Sequence, residues 1–429
     1  MNVLTELIKF GLFPLGQRFV AARYKPLRFV TTRGSFPFNT QGAGGTNYTR
    51  NETNLIVRTG RQRTGDIRAI FCNAYAATAG ETFATPADLT IEAAVYISGS
   101  FTWPFTWGGQ KSPVLYPGGG LVISDPIHID AAPGATLQLR SGGIVASGGL
   151  CVVNRVGAFA ESRFASTSGS SQVYGSSSMT LPDGGSSSVY GFAPIAVIGE
   201  TDAPQNAWMG WGDSIMHYAN DGTGEATYGY LGWFERGLGS VNGYPVPFCN
   251  VSRTGDSTTG YNLTSIRRKA LMKYATHVMF GLGRNDITAG TALATIQANI
   301  LVAWADARAA GCKVHQSTIT PKTSSTDSWA TVANQTVVDN SGASELRGQL
   351  NAWFVTKLAD GTIDGLFDLS AAVSAPGNPD KWAVTGAANY ATSDGLHPSP
   401  AMHAIAGAAF STYAAALPVQ GWLVNIYKN

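Results

Sequence analysis

The chain has 429 residues, a formal net charge of +2 and only 13% charged residues, so its composition gives no sign of a nucleic-acid-binding surface. A hydrophobic fraction of 44% excludes a disordered chain. The 51 glycines and 20 prolines are typical of a globular protein with many turns, and the length is sufficient for two domains with full cores.

Residues 1–49 are predicted to be an extension that packs on the body of the protein. The first 24 residues contain Glu6 and Lys9 within their apolar stretch and show no clear cleavage site, so they make a poor signal peptide. The most apolar later run, residues 401–419, is interrupted by polar side chains. It predicts a packed helix and no membrane span.

Residues 50–200 are predicted to form an all-β domain of the sandwich or jelly-roll type. Short strand-like segments separated by glycine and proline turns follow one another at 87–97, 114–116, 120–123, 126–129 and 136–140. The Ser/Gly-rich segment 164–188 has the composition of a flexible linker or a long surface loop.

From residue 201 to 429 strands and helices alternate, which predicts βαβ units and a parallel sheet covered on both faces. The predicted strands are 207–211, 246–251, 276–282, 313–320 and 365–369. The predicted helices are 227–238, 263–274, 289–310, 344–359 and 399–417.

Four loops in this half carry distinctive residues. Gly212-Asp213-Ser214 ends the first predicted strand, and Gly255 lies in the loop after the second. Gly283-Arg284-Asn285-Asp286 follows the third strand, and Asp394-Gly395-Leu396-His397 precedes the last helix. In open α/β sheets the ligand crevice lies at the carboxyl ends of the strands, so these loops are expected to meet there.

Taken together and in this order, the four blocks resemble the SGNH (GDSL-type) hydrolase family over about residues 205–420. The resemblance implies a flavodoxin-like three-layer α/β/α domain with a parallel five-stranded sheet, and serine ester hydrolysis. The preceding segment 119–137 is similar to the jelly-roll portion of some bacterial SGNH carbohydrate acetylesterases. This second similarity implies removal of O-acetyl groups from a polysaccharide or oligosaccharide.

Elementary chemistry supports the same residues. Ser214 needs a base to become a nucleophile, and His397 lies on a polar loop three residues from the carboxylate of Asp394, which can orient and stabilise its ring. The backbone N–H groups of Ser214 and Gly255 and the side-chain amide of Asn285 are the predicted oxyanion donors. No metal or organic cofactor is required.

The order Ser, Asp, His also occurs in α/β-hydrolases. Their nucleophile elbow is Gly-x-Ser-x-Gly, whereas Met216 occupies the last position here. That fold is therefore rejected.

Three further residues are candidate substrate contacts. Trp329 and Trp382 lie in the long loops beside the expected mouth of the active site, and Arg284 either lines the pocket or points away from it. Asp213 is equally compatible with a ligand role and with hydrogen bonds to local backbone amides. Asp286 is expected to brace the third loop.

The other aromatic and imidazole groups have simpler interpretations. His277 and His315 lie within strands and are predicted to be core residues, and neither His217 nor His403 is expected to touch substrate. The aromatic stretch 101–107 could stack on sugar rings, although packing within its own hairpin is favoured.

Three functions remain open, with acetylesterase action on a carbohydrate preferred. The alternatives are a general short-chain carboxylesterase and a carbohydrate-binding or particle-surface module with incidental hydrolysis. The expected partner is an acylated small molecule or glycan, not a nucleic acid. The oligomeric state, the compartment and any disulfides of four cysteines that lack metal-site spacing are undetermined: Cys72, Cys151, Cys249 and Cys312.

Overall fold

A computed structural model defines the fold over most of the chain. The described residues are 25–42, 49–77, 80–82, 87–97, 102–146, 148–156, 163–166, 171–175, 179, 190–222, 224–263 and 265–421. The predicted packing of residues 1–24 and most of the Ser/Gly-rich segment 164–188 fall outside these residues.

The amino-terminal part is rich in β-structure. Its strands are β1 (Arg28–Phe29), β2 (Gly34–Ser35), β3 (Asn39–Gly42), β4 (Arg50–Arg58), β5 (Thr64–Phe71), β6 (Tyr75–Ala77), β7 (Gly80–Thr82), β8 (Leu89–Tyr96), β9 (Thr102–Pro104), β10 (Val114–Leu115), β11 (Val122–Ile123), β12 (Ile127–Ala131), β13 (Thr136–Ile144), β14 (Leu150–Arg155), β15 (Arg163–Ser166), β16 (Tyr190–Gly191) and β17 (Ala196–Thr201).

Two antiparallel sheets contain most of these strands. One has the order β1-β17-β5-β11 with β12 also paired to β5, and the other has the order β10-β8-β13-β4-β15 with β9 paired to β8. Apolar side chains of both sheets, among them Ile67, Leu89 and Leu137, form one buried cluster. Phe105 and Trp107 belong to this cluster, so in the aromatic stretch these two rings pack in the core.

The carboxyl-terminal part alternates strands and helices. Its strands are β18 (Trp208–Gly212), β19 (Phe248–Asn250), β20 (His277–Gly281), β21 (Lys313–Ser317), β22 (Thr323–Ser325), β23 (Gln335–Val337), β24 (Gly365–Phe367), β25 (Ser374–Ala375) and β26 (Asn378–Trp382). Its α-helices are α1 (Gly232–Gly239), α2 (Thr258–Leu263), α3 (Ile266–Ala270), α4 (Arg284–Thr288), α5 (Leu293–Ala309), α6 (Leu346–Ala359), α7 (Leu369–Val373) and α8 (Pro400–Ala415).

The central sheet is parallel and has the order β2-β19-β18-β20-β21-β24. The sheet has six strands, whereas five were predicted, and five of the six come from the carboxyl-terminal half. The sixth, β2, comes from the predicted extension and pairs with β19. A two-residue strand has no readable alternation, so the sequence pattern could not predict it.

Several helices differ from their predicted bounds. The helix predicted at 227–238 begins at Gly232, because the Glu225 carboxylate accepts the backbone N–H groups of Thr227 and Tyr228 and holds a non-helical turn. The helix predicted at 289–310 is interrupted before α5 by Gly290, whose φ of +71° is incompatible with a helix. The helix predicted at 263–274 is divided between α3 and a 3₁₀ turn, Met272–Tyr274.

The two parts share a hydrophobic core. One buried cluster joins Phe36 and Ile195 from the amino-terminal part to Cys249 and Val278 on the central sheet. The Glu81 carboxylate adds a polar link, since it accepts from the Arg268 backbone N–H at 2.8 Å and pairs with the Arg267 side chain.

All four cysteines are buried free thiols. Burial raises the pKa of the Cys72 and Cys312 thiols to about 12. None of the helices in the described part of the chain is long and apolar enough to cross a membrane.

Candidate active site

The candidate nucleophile lies directly after β18, in a tight turn. The Asp213 side chain accepts the Ile215 backbone N–H at 2.9 Å, and the Asp213 carbonyl accepts the His217 backbone N–H at 2.9 Å. These bonds fix the backbone on both sides of Ser214, which is 6% exposed. The local-backbone role considered for Asp213 is therefore observed.

His397 and Asp394 meet Ser214 across 183 residues of sequence. His397 Nε2 lies 2.9 Å from Ser214 Oγ, and His397 Nδ1 lies 2.7 Å from Asp394 Oδ2. Because a carboxylate accepts the Nδ1 proton, Nε2 is left as the acceptor that faces the serine hydroxyl. The chain thus brings together the three residues predicted to form a triad.

The Asp394 carboxylate is held in its ionised form. Burial raises its pKa, but hydrogen bonds from the His397 ring and from the backbone N–H groups of His397 and Leu396 outweigh burial, so the pKa lies below its ordinary value. Gly395 permits this sharp turn with a φ of +76°, and a Cβ at this position would overlap the carbonyl of Thr323.

The predicted oxyanion donors lie on three adjacent strand ends. Gly255 follows β19 with a φ of +78°, and the Arg253 backbone N–H donates to the Gly212 carbonyl at 3.0 Å, which ties this loop to the nucleophile turn. The Asn285 side-chain amide donates to the Asp256 carbonyl at 2.8 Å, next to Gly255. The loops of all three donors are therefore connected to one another.

Asp286 braces this arrangement as predicted. Its carboxylate accepts the Thr258 backbone N–H at 2.9 Å and the Thr258 hydroxyl at 2.7 Å. These bonds join α4 to α2.

Arg284 is 2% exposed, so it does not lie on an open wall of the site. Its guanidinium donates to the Ser341 hydroxyl and the Asp339 carbonyl. It also lines a small cavity of about 20 Å³, partly open to solvent, at the carboxyl ends of β18, β20 and β21. Asp213 lines the same cavity.

The two candidate tryptophans occupy different environments. Trp329 is half-buried and packs on Gly395, beside Asp394. Trp382 is fully buried, and its indole N–H donates to the Gly395 carbonyl at 2.9 Å. The prediction that Trp382 forms a substrate wall is wrong, because its ring supports the Asp394 loop from within the core.

His277 and His315 are core residues, as predicted. His277 Nδ1 lies 2.9 Å from His315 Nε2, and His315 Nδ1 lies 2.7 Å from the Tyr413 hydroxyl. Burial lowers the pKa of both rings, that of His277 to about 3.

His217 and His403 are also buried. His403 accepts the Trp233 backbone N–H through Nδ1 and donates to the Ala219 carbonyl through Nε2. His217 packs against Phe38 and Tyr218.

Two residues that contact the Asp394 carboxylate were not predicted. The Asn220 side-chain amide donates to Asp394 Oδ2 at 3.4 Å, and the Thr392 hydroxyl lies 3.2 Å from Oδ1. Neither belongs to one of the four blocks, so the motifs contained no signal for them. Among the described residues, no cluster of three or more His, Cys, Asp or Glu side chains has the arrangement of a metal site.

Comparison with known families identifies the class of this region. Residues 211–405 match the model of the GDSL-like Lipase/Acylhydrolase family. This part of the chain is therefore a GDSL/SGNH-like α/β domain, and the match supports a hydrolase. No curated protein matches the chain.

Several solved structures are similar to the chain at low identity. The psychrotrophic esterase EstA from Pseudoalteromonas sp. is 18% identical with a TM-score of 0.34, covering 49% of this chain and 96% of that one. A mutant of Axe2, an acetyl-xylooligosaccharide esterase from Geobacillus stearmophilus, is 14% identical with a TM-score of 0.33, covering 51% and 98%. The protein YXIM from Bacillus subtilis is 14% identical with a TM-score of 0.36, covering 82% and 78%.

Proposed function

We propose that the protein is a serine esterase that hydrolyses short-chain, chiefly acetyl, esters, and that its substrates are O-acetyl groups on a carbohydrate. The observation that carries the esterase assignment is the hydrogen-bonded series from Ser214 Oγ to His397 to Asp394, with distances of 2.9 and 2.7 Å. A serine so placed has the base and the orienting acid that nucleophilic catalysis requires.

In the acylation step the Ser214 oxygen attacks the ester carbonyl while its proton passes to His397 Nε2. Asp394 stabilises the imidazolium that forms, and the N–H groups of Ser214 and Gly255 with the Asn285 amide stabilise the oxyanion. Collapse of the tetrahedral intermediate breaks the ester C–O bond. The leaving alcohol takes the proton from His397, and the acetyl group remains on Ser214.

In the deacylation step a water molecule replaces the alcohol. His397 removes its proton, the water oxygen attacks the acetyl carbonyl, and the same donors hold the second oxyanion. Collapse of this intermediate breaks the bond between the acetyl carbon and the Ser214 oxygen, which takes the proton from His397. The product leaves as acetic acid and ionises to acetate. Every group used is supplied by the chain or by water.

The carbohydrate part of the proposal is supported by the sequence similarity of segment 119–137 to acetylesterases with a jelly-roll portion. Trp329, which packs beside the Asp394 loop, is the proposed aromatic wall for a sugar ring.

Acetate release tests this assignment. The protein is assayed on p-nitrophenyl esters of increasing acyl length and on a panel of acetylated glycans that includes acetylated xylan, with Ser214→Ala as the control. Acetate release from a glycan and a preference for the acetyl ester are expected. Equal rates on long acyl chains would favour a general carboxylesterase, and activity on no ester would favour a binding module.

A further inference from the structure

The cavity shared by Asp213 and Arg284 connects two of the loops that form the candidate active site. Asp213 directly precedes the nucleophile Ser214, and Arg284 directly precedes the oxyanion donor Asn285. A residue that fixes the distance between these two loops also fixes the position of the oxyanion donor relative to the attacking oxygen.

The lining of this cavity is largely apolar, but several of its polar atoms lack a hydrogen-bond partner. Within the described part of the chain, three of its lining residues have a buried polar atom without a hydrogen-bond partner: Arg284 Nε, Thr320 Oγ1 and Trp233 Nε1. Buried polar atoms of this kind are commonly satisfied by ordered water, which needs two to four partners. Two N–H donors, a hydroxyl and the Asp213 carboxylate provide such partners.

Asp213 and Arg284 carry opposite charges in this buried space. Burial raises the pKa of Asp213 to about 7 and lowers the pKa of Arg284 to about 10, and the attraction between the two groups opposes both shifts. Each ionised group therefore favours the ionised form of the other. Hydrogen bonds to the Ser341 and Thr288 hydroxyls and to the Asp339 carbonyl hold the Arg284 guanidinium in place.

We propose that Arg284 is a positioning residue for ester hydrolysis, acting through Asp213 across this cavity. It holds the loop of Ser214 and the loop of Asn285 at the separation that the tetrahedral intermediate requires. It does not touch the substrate. This inference rests on the proposed esterase function.

The test is a double-mutant cycle of Arg284→Met and Asp213→Asn, with steady-state kinetics on p-nitrophenyl acetate. Each single variant is expected to lower kcat by about 10- to 100-fold, the cost of a small misplacement of reacting groups. KM is expected to change by less than about threefold, because substrate contacts are unaltered. The double variant is expected to be little slower than either single variant, since both remove the same interaction.

Two further variants separate positioning from folding. Arg284→Lys keeps the positive charge and is expected to restore much of kcat, which a purely packing role would not do. Arg140→Met removes a buried arginine in the amino-terminal part, and it is expected to lower Tm without changing kcat.

The outcomes are distinguishable from failure of the proposed function. A wild-type protein without esterase activity, or an active Ser214→Ala variant, would refute the esterase assignment itself. A different result would refute only the positioning role. In that case the wild-type protein is active and Ser214→Ala is inactive, but Arg284→Met keeps the wild-type kcat. The positioning role would also be refuted if the effects of the two substitutions on kcat were additive, or if Arg284→Lys did not restore kcat.

Discussion

At the scale of single residues, the candidate site consists of the hydrogen-bonded series Ser214, His397 and Asp394 and of the side chains that hold it in place. Ser214, His397 and Asp394 stand in motif blocks whose order along the chain carries the signal, and the structure places them in contact. The role of Trp382 was not predictable, because its complete burial depends on how distant loops pack. The support of Asp394 by Asn220 depends on the same tertiary folding.

Removal of the nucleophile is the simplest residue-scale prediction. Ser214→Ala should abolish ester hydrolysis, because it removes the nucleophile. It should leave Tm near wild type, because Ser214 lies on a loop outside the core. Ser252→Ala is a matched control, since Ser252 is a buried serine on the neighbouring loop and its loss should leave activity in place. Activity above a few per cent of wild type in Ser214→Ala would contradict the assignment.

Removal of one oxyanion donor should give an intermediate effect. Asn285→Ala is expected to lower kcat by about 10²–10³, or about 2.7–4 kcal/mol, because the amide acts on the charge that develops in the transition state. KM should change little. Asn206→Ala, which removes an amide that bonds to the Pro418 carbonyl at the amino end of β18, serves as the control. An unchanged kcat in Asn285→Ala would show that another group stabilises the oxyanion.

At the scale of elements, strongly patterned segments were predicted well and interrupted ones were not. The strand bounds of β18 and β20 and the bounds of α6 agree closely with the pattern, because each combines apolar residues with clear ends. The prediction of a continuous helix over 289–310 is wrong at Gly290, because the positive φ of this residue is incompatible with a helix. The strand β2 is too short to have a pattern.

The buried histidines on β20 and β21 give an element-scale prediction about pH. The folded-state pKa of His277 is about 3, below the unfolded value of about 6.5, so the unfolded state binds more protons between these values. The contribution to stability is therefore complete above about pH 6.5 and is lost as pH falls towards 3.

Tm measured between pH 8 and pH 4 checks this pH dependence. His277→Gln should show a shallower decline of Tm on acidification than wild type. Val278→Ala, which alters the same strand and removes no titratable group, provides a control and should keep the wild-type slope. Identical slopes in all three proteins would mean that His277 is not held neutral.

At the scale of the whole molecule, the sequence separated two regions that the structure joins. The sequence changes from short consecutive strands to strands that alternate with helices. This change predicted a β-rich part and an α/β part, and both are present. The pattern could not show that Phe36 and Ile195 pack with Cys249 in one core, because contacts between distant segments leave no local signal.

The shared core predicts that the two parts unfold together. Phe36→Ala removes a ring that is 2% exposed and should destabilise the protein by about 3–5 kcal/mol. Loss of ester hydrolysis and loss of global tryptophan fluorescence should then share one lowered midpoint. Phe105→Ala, which alters the core of the amino-terminal part alone, should also give coincident midpoints. Separate midpoints in either variant would show that the parts are independent.

The most direct test of the account is the identity of the covalently modified residue after treatment with diethyl p-nitrophenyl phosphate. Peptide mass spectrometry should find the diethylphosphoryl group on Ser214, with activity lost in proportion to labelling and no labelling in Ser214→Ala. Modification of a different residue that accounts for the loss of activity, or full inactivation with Ser214 unmodified, would contradict the proposed mechanism.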